Sequence, residues 1–139
     1  MNAEVTLADE NATEKFGREL ASQLGPGSVL ALVGDLGAGK TRLTQAIVWA
    51  LGGGDGVTSP TFSLVQEYRD GKLPVFHFDF YRMESVDEVI AAGWDDYVDE
   101  NGIIIAEWAD KFPTLFDEQA IWWTIEKEGD HRIAKASRV

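Results

Sequence analysis

Residues 34–41 constrain this chain more than any other segment of its sequence. They read Gly-Asp-Leu-Gly-Ala-Gly-Lys-Thr and match the pattern G-x-x-x-x-G-K-[ST] at every position. Residues 28–33 before them, SVLALV, form a short apolar run that is typical of a buried strand. Apolar residues after them recur on one helix face, at Leu43, Ala46, Ile47, Ala50 and Leu51. A glycine-rich loop between a buried strand and a helix predicts a phosphate-binding loop rather than an ordinary turn.

The residue types of this loop suit the binding of a nucleotide. Glycine lets the backbone approach phosphate closely, and successive N–H groups then point inward as an anion nest. The following helix aims its positive end at the same phosphates. We expect the Lys40 ammonium between the β and γ phosphates and the Thr41 hydroxyl on Mg²⁺. The predicted contacts to ATP or ADP in this region are Asp35, Leu36, Gly37, Ala38, Gly39, Lys40, Thr41 and Arg42.

Two acidic residues directly follow predicted strands, Asp79 after VFHF and Glu107 after IIIA. A carboxylate removed from water is costly unless it has partners, although a helix cap or a surface ion pair would also provide one. We assign Glu107 to the metal, because its strand is the more apolar and therefore the more central. Asp79 is then expected to serve the water shell of the metal or the attacking water. Catalysis is assigned to Lys40, Asp79 and Glu107, and Mg²⁺ binding to Thr41 and Glu107.

Other residues near these acids allow alternatives. Trp108, adjoining Glu107, is expected to contact the nucleotide. His77 lies in an aromatic strand and is interpreted as a hydrogen-bonded structural residue rather than a catalyst. Arg82 is either an arginine finger or, as we favour, the partner of an acid in the following segment. Residues 58–62, TSPTF, are either a loop that senses the γ-phosphate or a plain proline turn.

The remaining pattern predicts an α/β fold, in a single domain over residues 1–139 with a mixed, largely parallel central sheet flanked by helices. A helix is expected from Asp9 or Asn11 to about Leu24, and a short one after the capping box at Ser85. Strands are predicted at residues 5–7, 28–33, 63–68, 74–80, 102–106, 120–125 and 132–136. The turn at residues 69–72 indicates a hairpin, so part of the sheet is antiparallel.

Charge and composition narrow the function. The chain has 24 acidic and 12 basic residues, and a net charge of -12 argues against a free-standing nucleic-acid binder. Residues 84–118 hold eleven acids and one base, Lys111, which indicates either a solvated face or a docking surface for a basic partner. The chain has no cysteine, no apolar run of about 20 residues and no basic residue near its start. We therefore expect a cytoplasmic protein without a membrane span.

Beyond the phosphate loop, four more motifs follow in order: VTSPTF at 57–62, HFDFYR at 77–82, GWDDY at 93–97 and AEW at 106–108. The ordered set resembles the TsaE family, bacterial ATPases needed for the threonylcarbamoyladenosine modification of tRNA. The resemblance spans about residues 5 to 136. It implies Mg²⁺-dependent ATP hydrolysis that supports turnover of two partners, TsaB and TsaD, with tRNA held mainly by those partners. It also implies that Asp79 is catalytic, that Glu107 is a magnesium ligand and that Trp108 adjoins the nucleotide.

Some alternatives stay open at this point. Arg42 departs from the family, in which a second small hydroxyl residue is frequent there. The C-terminal bases Lys127, Arg132, Lys135 and Arg138 would contact nucleotide, partner, tRNA or only solvent. The absence of an N-K-x-D motif argues against a GTPase. A free-standing kinase of a small metabolite remains the alternative enzyme, and a nucleotide-binding module without turnover is a third reading.

Overall fold

The computed structural model describes residues 4–34, 40–53 and 65–136. Within them lie four α-helices, α1 (Glu10–Gln23), α2 (Lys40–Ala50), α3 (Val86–Ala91) and α4 (Trp94–Asp99). The strands are β1 (Glu4–Leu7), β2 (Val29–Val33), β3 (Val65–Tyr68), β4 (Val75–Asp79), β5 (Ile103–Glu107), β6 (Ile121–Glu128) and β7 (His131–Ala136). Short 3₁₀ turns follow β4 and β5. Asp35, Leu36, Gly37, Ala38, Gly39 and residues 58–62 lie outside the described residues.

The seven strands form one sheet in the order β1-β7-β6-β2-β5-β4-β3. The central strands β6, β2, β5 and β4 pair in parallel. Antiparallel pairs lie at both edges of the sheet. At one edge β3 pairs with β4, and at the other β7 pairs with both β6 and β1. The mixed α/β fold predicted from the sequence is therefore confirmed, and its parallel pairing is confined to the centre of the sheet.

Alternation along the central strands gives the two faces of the sheet separate cores. Ile103 and Ile105 of β5 pack on the face that α1 and α2 cover. Ile104 and Ala106 of the same strand pack on the opposite face, among aromatic residues. This burial on both sides explains why β5 is continuously apolar. Glu107, two residues beyond Ile105, belongs by the same alternation to the face of α2.

The contact between α1 and α2 is close enough to require glycine. Asp9 caps α1 by accepting a hydrogen bond from the Ala12 N–H at 2.9 Å. A methyl group on Gly17 of α1 would lie 2.5 Å from Cβ of Ala46 on α2. Since α2 begins at Lys40, this contact also fixes the helix end that carries the predicted phosphate and metal residues.

The acidic stretch contains one helix that the sequence pattern did not predict. Ser85 caps α3 as expected, accepting from the Glu88 N–H at 3.2 Å. Gly93 then takes a positive φ of 107°, and α4 begins at the buried Trp94. Six residues are too few to show a helical period, which is why α4 was missed. Among the helices in the described ranges, none has the length and apolar character needed to span a bilayer.

Candidate functional site

The first residue of α2 places a buried ammonium group at the carboxyl end of the central strands. The Lys40 side chain is 4% exposed, and its Nζ donates a hydrogen bond to the carbonyl oxygen of Gly34. The same Nζ lies 3.9 Å from the centroid of the Trp108 ring, which is a cation–π contact. Lys40 is therefore held at the start of the helix by the end of β2 on one side and the turn after β5 on the other.

Glu107 brings α2, β4 and β5 together. The Thr41 hydroxyl lies 3.2 Å from Oε2 of Glu107 and 3.4 Å from Oε1, and it donates to this carboxylate. Nε2 of His77 lies 2.5 Å from the same Oε2. Glu107 is only 4% exposed, so its carboxylate has lost most of its contact with water. Hydrogen bonds to these polar neighbours take the place of those to water.

Asp79 lies beside Glu107 on the neighbouring strand, since the two residues are directly paired in the register of β4 and β5. Its Oδ1 accepts the Tyr81 N–H at 3.1 Å, and its Oδ2 lies 3.6 Å from Nε of Arg82. Burial, and then the negative charge of Glu107, raise the pKa of the Asp79 carboxyl above its ordinary value. A carboxyl with a raised pKa is better suited to accept a proton near neutral pH.

The turn after β5 sets an aromatic pair beside these acids. Trp108 adopts a left-handed backbone conformation, with φ of 60°, which is uncommon for a residue other than glycine and costs on the order of 1–3 kcal/mol. Its ring packs against the ring of Tyr81, with 4.9 Å between the centroids. Tyr81 is half exposed. The strained turn thus directs the Trp108 ring toward Lys40 instead of continuing the strand.

Of the residues assigned to the site from sequence, the structure brings Lys40, Thr41, Asp79, Glu107 and Trp108 together. The Arg42 side chain extends toward α1, where its guanidinium pairs with Glu10 at 2.5 Å. Nε of Arg82 lies 3.6 Å from Oδ2 of Asp79, since the two residues are three apart around one turn.

The C-terminal bases lie on the β6–β7 hairpin, apart from Arg138, which is outside the described residues. Lys127 and Arg132 are paired in its register, and Lys135 contacts Glu126 at 3.0 Å. The hairpin forms one edge of the sheet with β1, whereas Asp79 and Glu107 end strands nearer the other edge.

His77 is the member of this site that sequence reasoning missed. Its expected hydrogen bond is present, but the partner is Glu107, so the imidazole belongs to the site. One signal was available in the sequence: His77 and Asp79 are two residues apart on one strand, so they share a face of the sheet. The pairing of β4 with β5, which puts that face beside Glu107, could not be inferred from local pattern.

The donor set of this site fits Mg²⁺. Within residues 4–34, 40–53 and 65–136, no group of three or more His, Asp or Glu side chains forms a metal cage. Mg²⁺ is usually held by one or two protein oxygen ligands together with water and substrate phosphates. A hydroxyl and a carboxylate 3.2 Å apart, Thr41 and Glu107, are oxygen donors of that kind.

Known proteins are similar to this chain over most of its length. The family model described as threonylcarbamoyl adenosine biosynthesis protein TsaE matches residues 7–136. The tRNA threonylcarbamoyladenosine biosynthesis protein TsaE of Synechocystis sp. is 41% identical over 115 residues, which cover 81% of this chain and 73% of the relative. The protein of that name from Bacillus subtilis is 39% identical over 130 residues, covering 94% and 77%.

A solved structure is similar over the same extent. The crystal structure of Bacillus subtilis YdiB superposes with a TM-score of 0.78 at 31% sequence identity, covering 96% of this chain and 82% of that one. The family match, the relatives and the fold therefore agree over nearly the whole chain. This chain belongs to the TsaE family of tRNA threonylcarbamoyladenosine biosynthesis proteins.

Proposed function

We propose that this protein is a P-loop ATPase that hydrolyses ATP with Mg²⁺ and thereby supports turnover of the TsaB–TsaD pair in tRNA threonylcarbamoyladenosine synthesis. The observation that carries the proposal is the contact between Thr41 and Glu107, 3.2 Å apart at the start of the helix that follows the phosphate-loop sequence. A hydroxyl and an acid in these positions are the protein's share of a magnesium site in P-loop enzymes.

Each residue of the site has a separate task in this proposal. Residues 35–41 bind the phosphates, and Lys40 neutralises the charge that develops on the β and γ oxygens. Thr41 and Glu107 hold Mg²⁺, which when bound stabilises the same charge. Trp108 keeps the Lys40 ammonium at the carboxyl end of the sheet and adjoins the nucleotide.

Asp79 acts on the attacking water. Its Oδ1 accepts the Tyr81 N–H and its Oδ2 lies 3.6 Å from Nε of Arg82. An ionised carboxylate offers about four acceptor positions, so the remaining ones can orient the water and receive its proton. The water oxygen forms a bond to the γ-phosphorus while the bond to the β–γ bridging oxygen breaks, and ADP leaves. The raised pKa of Asp79 favours this transfer, because the carboxylate is then a stronger base than an exposed aspartate.

The charge of the chain suggests how the work is divided in the complex. A net charge of -12 opposes direct binding to a polyanion, so we assign contact with tRNA to TsaB and TsaD. The chain would then act as a single ATPase domain over residues 1–139 in the cytoplasm. The alternative, a free-standing kinase, differs in where the γ-phosphate goes, since a kinase transfers it to a small acceptor rather than to water.

The decisive experiment measures Mg²⁺-dependent phosphate release with and without the TsaB–TsaD pair, for the parent and for Glu107→Gln. We expect phosphate release that rises with the partners, and a loss of at least about 100-fold in the variant, because the metal loses its carboxylate. Glu118→Gln, which removes an exposed acid, is the matched control and should behave as the parent. An unchanged rate in Glu107→Gln, or ADP formation without phosphate release that depends on an added small acceptor, would contradict the proposal.

A further inference from the structure

His77 is a buried imidazole that has a hydrogen-bond partner on one of its two nitrogens among the described residues. It lies in β4 with no solvent exposure. Its Nε2 is 2.5 Å from Oε2 of Glu107, while Nδ1 is buried without a hydrogen-bond partner among the described residues. Buried polar groups are normally hydrogen-bonded, so an imidazole with one unpaired nitrogen in a strand interior lowers the stability of the folded protein.

The neighbours of His77 show that an apolar residue would suit the strand better if packing alone mattered. Phe76 and Phe78 on either side are fully buried in the aromatic core. His77 faces the other way, toward the face of α2, where its register partner on β5 is the buried Ile105. The polar contact to Glu107 is therefore what distinguishes a histidine here from the aliphatic residues around it.

Two side chains contact the Glu107 carboxylate and leave it acceptor positions for a cation. Thr41 Oγ1 and His77 Nε2 both contact Oε2, at 3.2 and 2.5 Å. An ionised carboxylate offers about four acceptor positions, so two hydrogen bonds leave others available. A neutral imidazole with its proton on Nε2 donates to Oε2, and its Nδ1 is then an acceptor, which matches the unpartnered nitrogen.

We propose that His77 is a positioning residue: its Nε2–H holds the Glu107 carboxylate beside Thr41 so that both can bind one Mg²⁺ ion. This rests on the proposed function, which assigns the metal to Thr41 and Glu107. His77 itself touches neither metal nor phosphate. Hydrogen-bond partners of metal ligands orient them, and their loss typically lowers metal affinity by about 10- to 100-fold.

The test uses three substitutions of His77 that differ in whether the new side chain has a hydrogen-bond donor long enough to contact Glu107. His77→Gln retains an N–H donor at nearly the distance of Nε2, whereas His77→Asn buries the same amide but is one carbon shorter. His77→Phe keeps the ring shape without a donor. The readout is the Mg²⁺ dependence of ADP affinity, measured by calorimetry at a series of Mg²⁺ concentrations, with ADP affinity in EDTA as the metal-free reference.

We expect His77→Asn and His77→Phe to need about 10- to 100-fold more Mg²⁺, with ADP affinity in EDTA unchanged, and His77→Gln to stay within a few-fold of the parent. Equal behaviour of the Gln and Asn variants would overturn the proposal, because the reach of the donor would then be irrelevant. If His77→Phe does not fold, as judged by circular dichroism, the Gln and Asn pair decides alone.

A Glu107→Gln variant separates this inference from the function on which it rests. If Glu107→Gln loses the Mg²⁺ effect and all three His77 variants keep it, the metal assignment stands and the positioning role of His77 is wrong. If Glu107→Gln keeps the full Mg²⁺ effect, the metal assignment itself is wrong, and the role of His77 falls with it.

Discussion

At the scale of the residue, the site places two carboxylates side by side, and each has different polar neighbours. Glu107 has a hydroxyl and an imidazole as neighbours. Asp79, its register partner, has a backbone N–H at 3.1 Å and an arginine at 3.6 Å. Burial and the nearby charge of Glu107 raise the pKa of Asp79. Placing two like charges together lowers stability, and this is the kind of cost that proteins accept at functional sites.

Replacement of Asp79 by Asn should therefore stabilise the protein while greatly slowing hydrolysis. Because its pKa is raised, the Asp79 carboxyl binds a proton more tightly in the folded state than in the unfolded chain. The stability that this carboxyl contributes is therefore present at low pH. It is lost as the pH rises from the ordinary aspartate pKa through the raised pKa of the folded state. Asn has no charge to lose, and its Oδ1 can still accept the Tyr81 N–H. We expect Asp79→Asn to unfold at higher urea concentration than the parent at pH 7, with the advantage shrinking as the pH falls toward about 4.

The activity of the same variant should fall by about 10²- to 10⁴-fold, the usual contribution of a general base. Arg82 loses its ion pair in this variant, so the comparison is repeated in an Arg82→Gln background, where that pair is absent from both proteins. An Asp79→Asn protein that is less stable than the parent at pH 7 in both backgrounds would show that the carboxylate is not under electrostatic strain.

Single residues also show how far the sequence alone could predict the site. Lys40, Thr41, Asp79, Glu107 and Trp108 could be named because each follows or begins an element whose period is visible locally. The role of His77 and the pairing of Arg82 with Asp79 depend on which strand lies beside which and on how a short turn closes. Such contacts arise from tertiary packing, which local pattern does not encode.

At the scale of the element, the α1–α2 contact positions the start of α2, and the two helices approach closely at Gly17. Gly17→Ala would place Cβ 2.5 Å from Cβ of Ala46, which cannot move aside as a long side chain could. Overpacking of this kind costs about 1–3 kcal/mol and more than offsets the better helix propensity of alanine. We expect the free energy of unfolding in urea to fall by that amount.

A compensating variant makes the Gly17 prediction specific. Gly17→Ala with Ala46→Gly removes the methyl group that is struck, so the double variant should be more stable than the sum of the two single changes predicts. Additive effects would show that the methyl groups at positions 17 and 46 do not clash, and that the close approach does not position α2.

The turn after β5 gives a second prediction at this scale, because its strained backbone directs the Trp108 ring onto Lys40. A nucleotide that engages the Lys40 ammonium should change the surroundings of this ring. We expect tryptophan fluorescence to change on addition of ADP, and the change to disappear in Trp108→Phe. Trp49→Phe, on the half-exposed face of α2, is the control and should retain it. A Trp108→Phe protein with the full nucleotide signal would place the reporter elsewhere.

At the scale of the whole molecule, parallel pairing in the centre of the sheet brings the ends of β2, β4 and β5 to one edge. Ligands of open α/β sheets bind at the carboxyl ends of such strands. The strand positions and the hairpin at residues 69–72 were predictable from β-branched runs and turn residues. The order of the strands was not, because β2 lies between β5 and β6, far along the chain.

The same scale carries the prediction that the isolated protein binds tRNA poorly and hydrolyses ATP slowly until TsaB and TsaD join it. The net charge of -12 repels a polyanion, and residues 84–118 carry much of the excess. Arg82, the arginine nearest to Asp79 among the described contacts, is engaged with that carboxylate at 3.6 Å. A partner that supplies a positive group, or draws Arg82 from Asp79 toward the phosphates, would raise the rate by stabilising the transferring phosphoryl group.

Two measurements check this division of labour. The TsaB–TsaD pair is titrated into the ATPase assay at fixed ATP, and tRNA binding by the isolated protein is measured at physiological salt. Arg82→Lys keeps the charge but not the planar fork, so it should lower the partner-stimulated rate while leaving the slow rate of the isolated protein nearly unchanged if Arg82 is recruited by the partners. A stimulated rate that is indifferent to Arg82→Lys would assign the positive group to a partner. A rate indifferent to the partners, together with tight tRNA binding by the isolated chain, would instead identify an autonomous enzyme that acts on RNA.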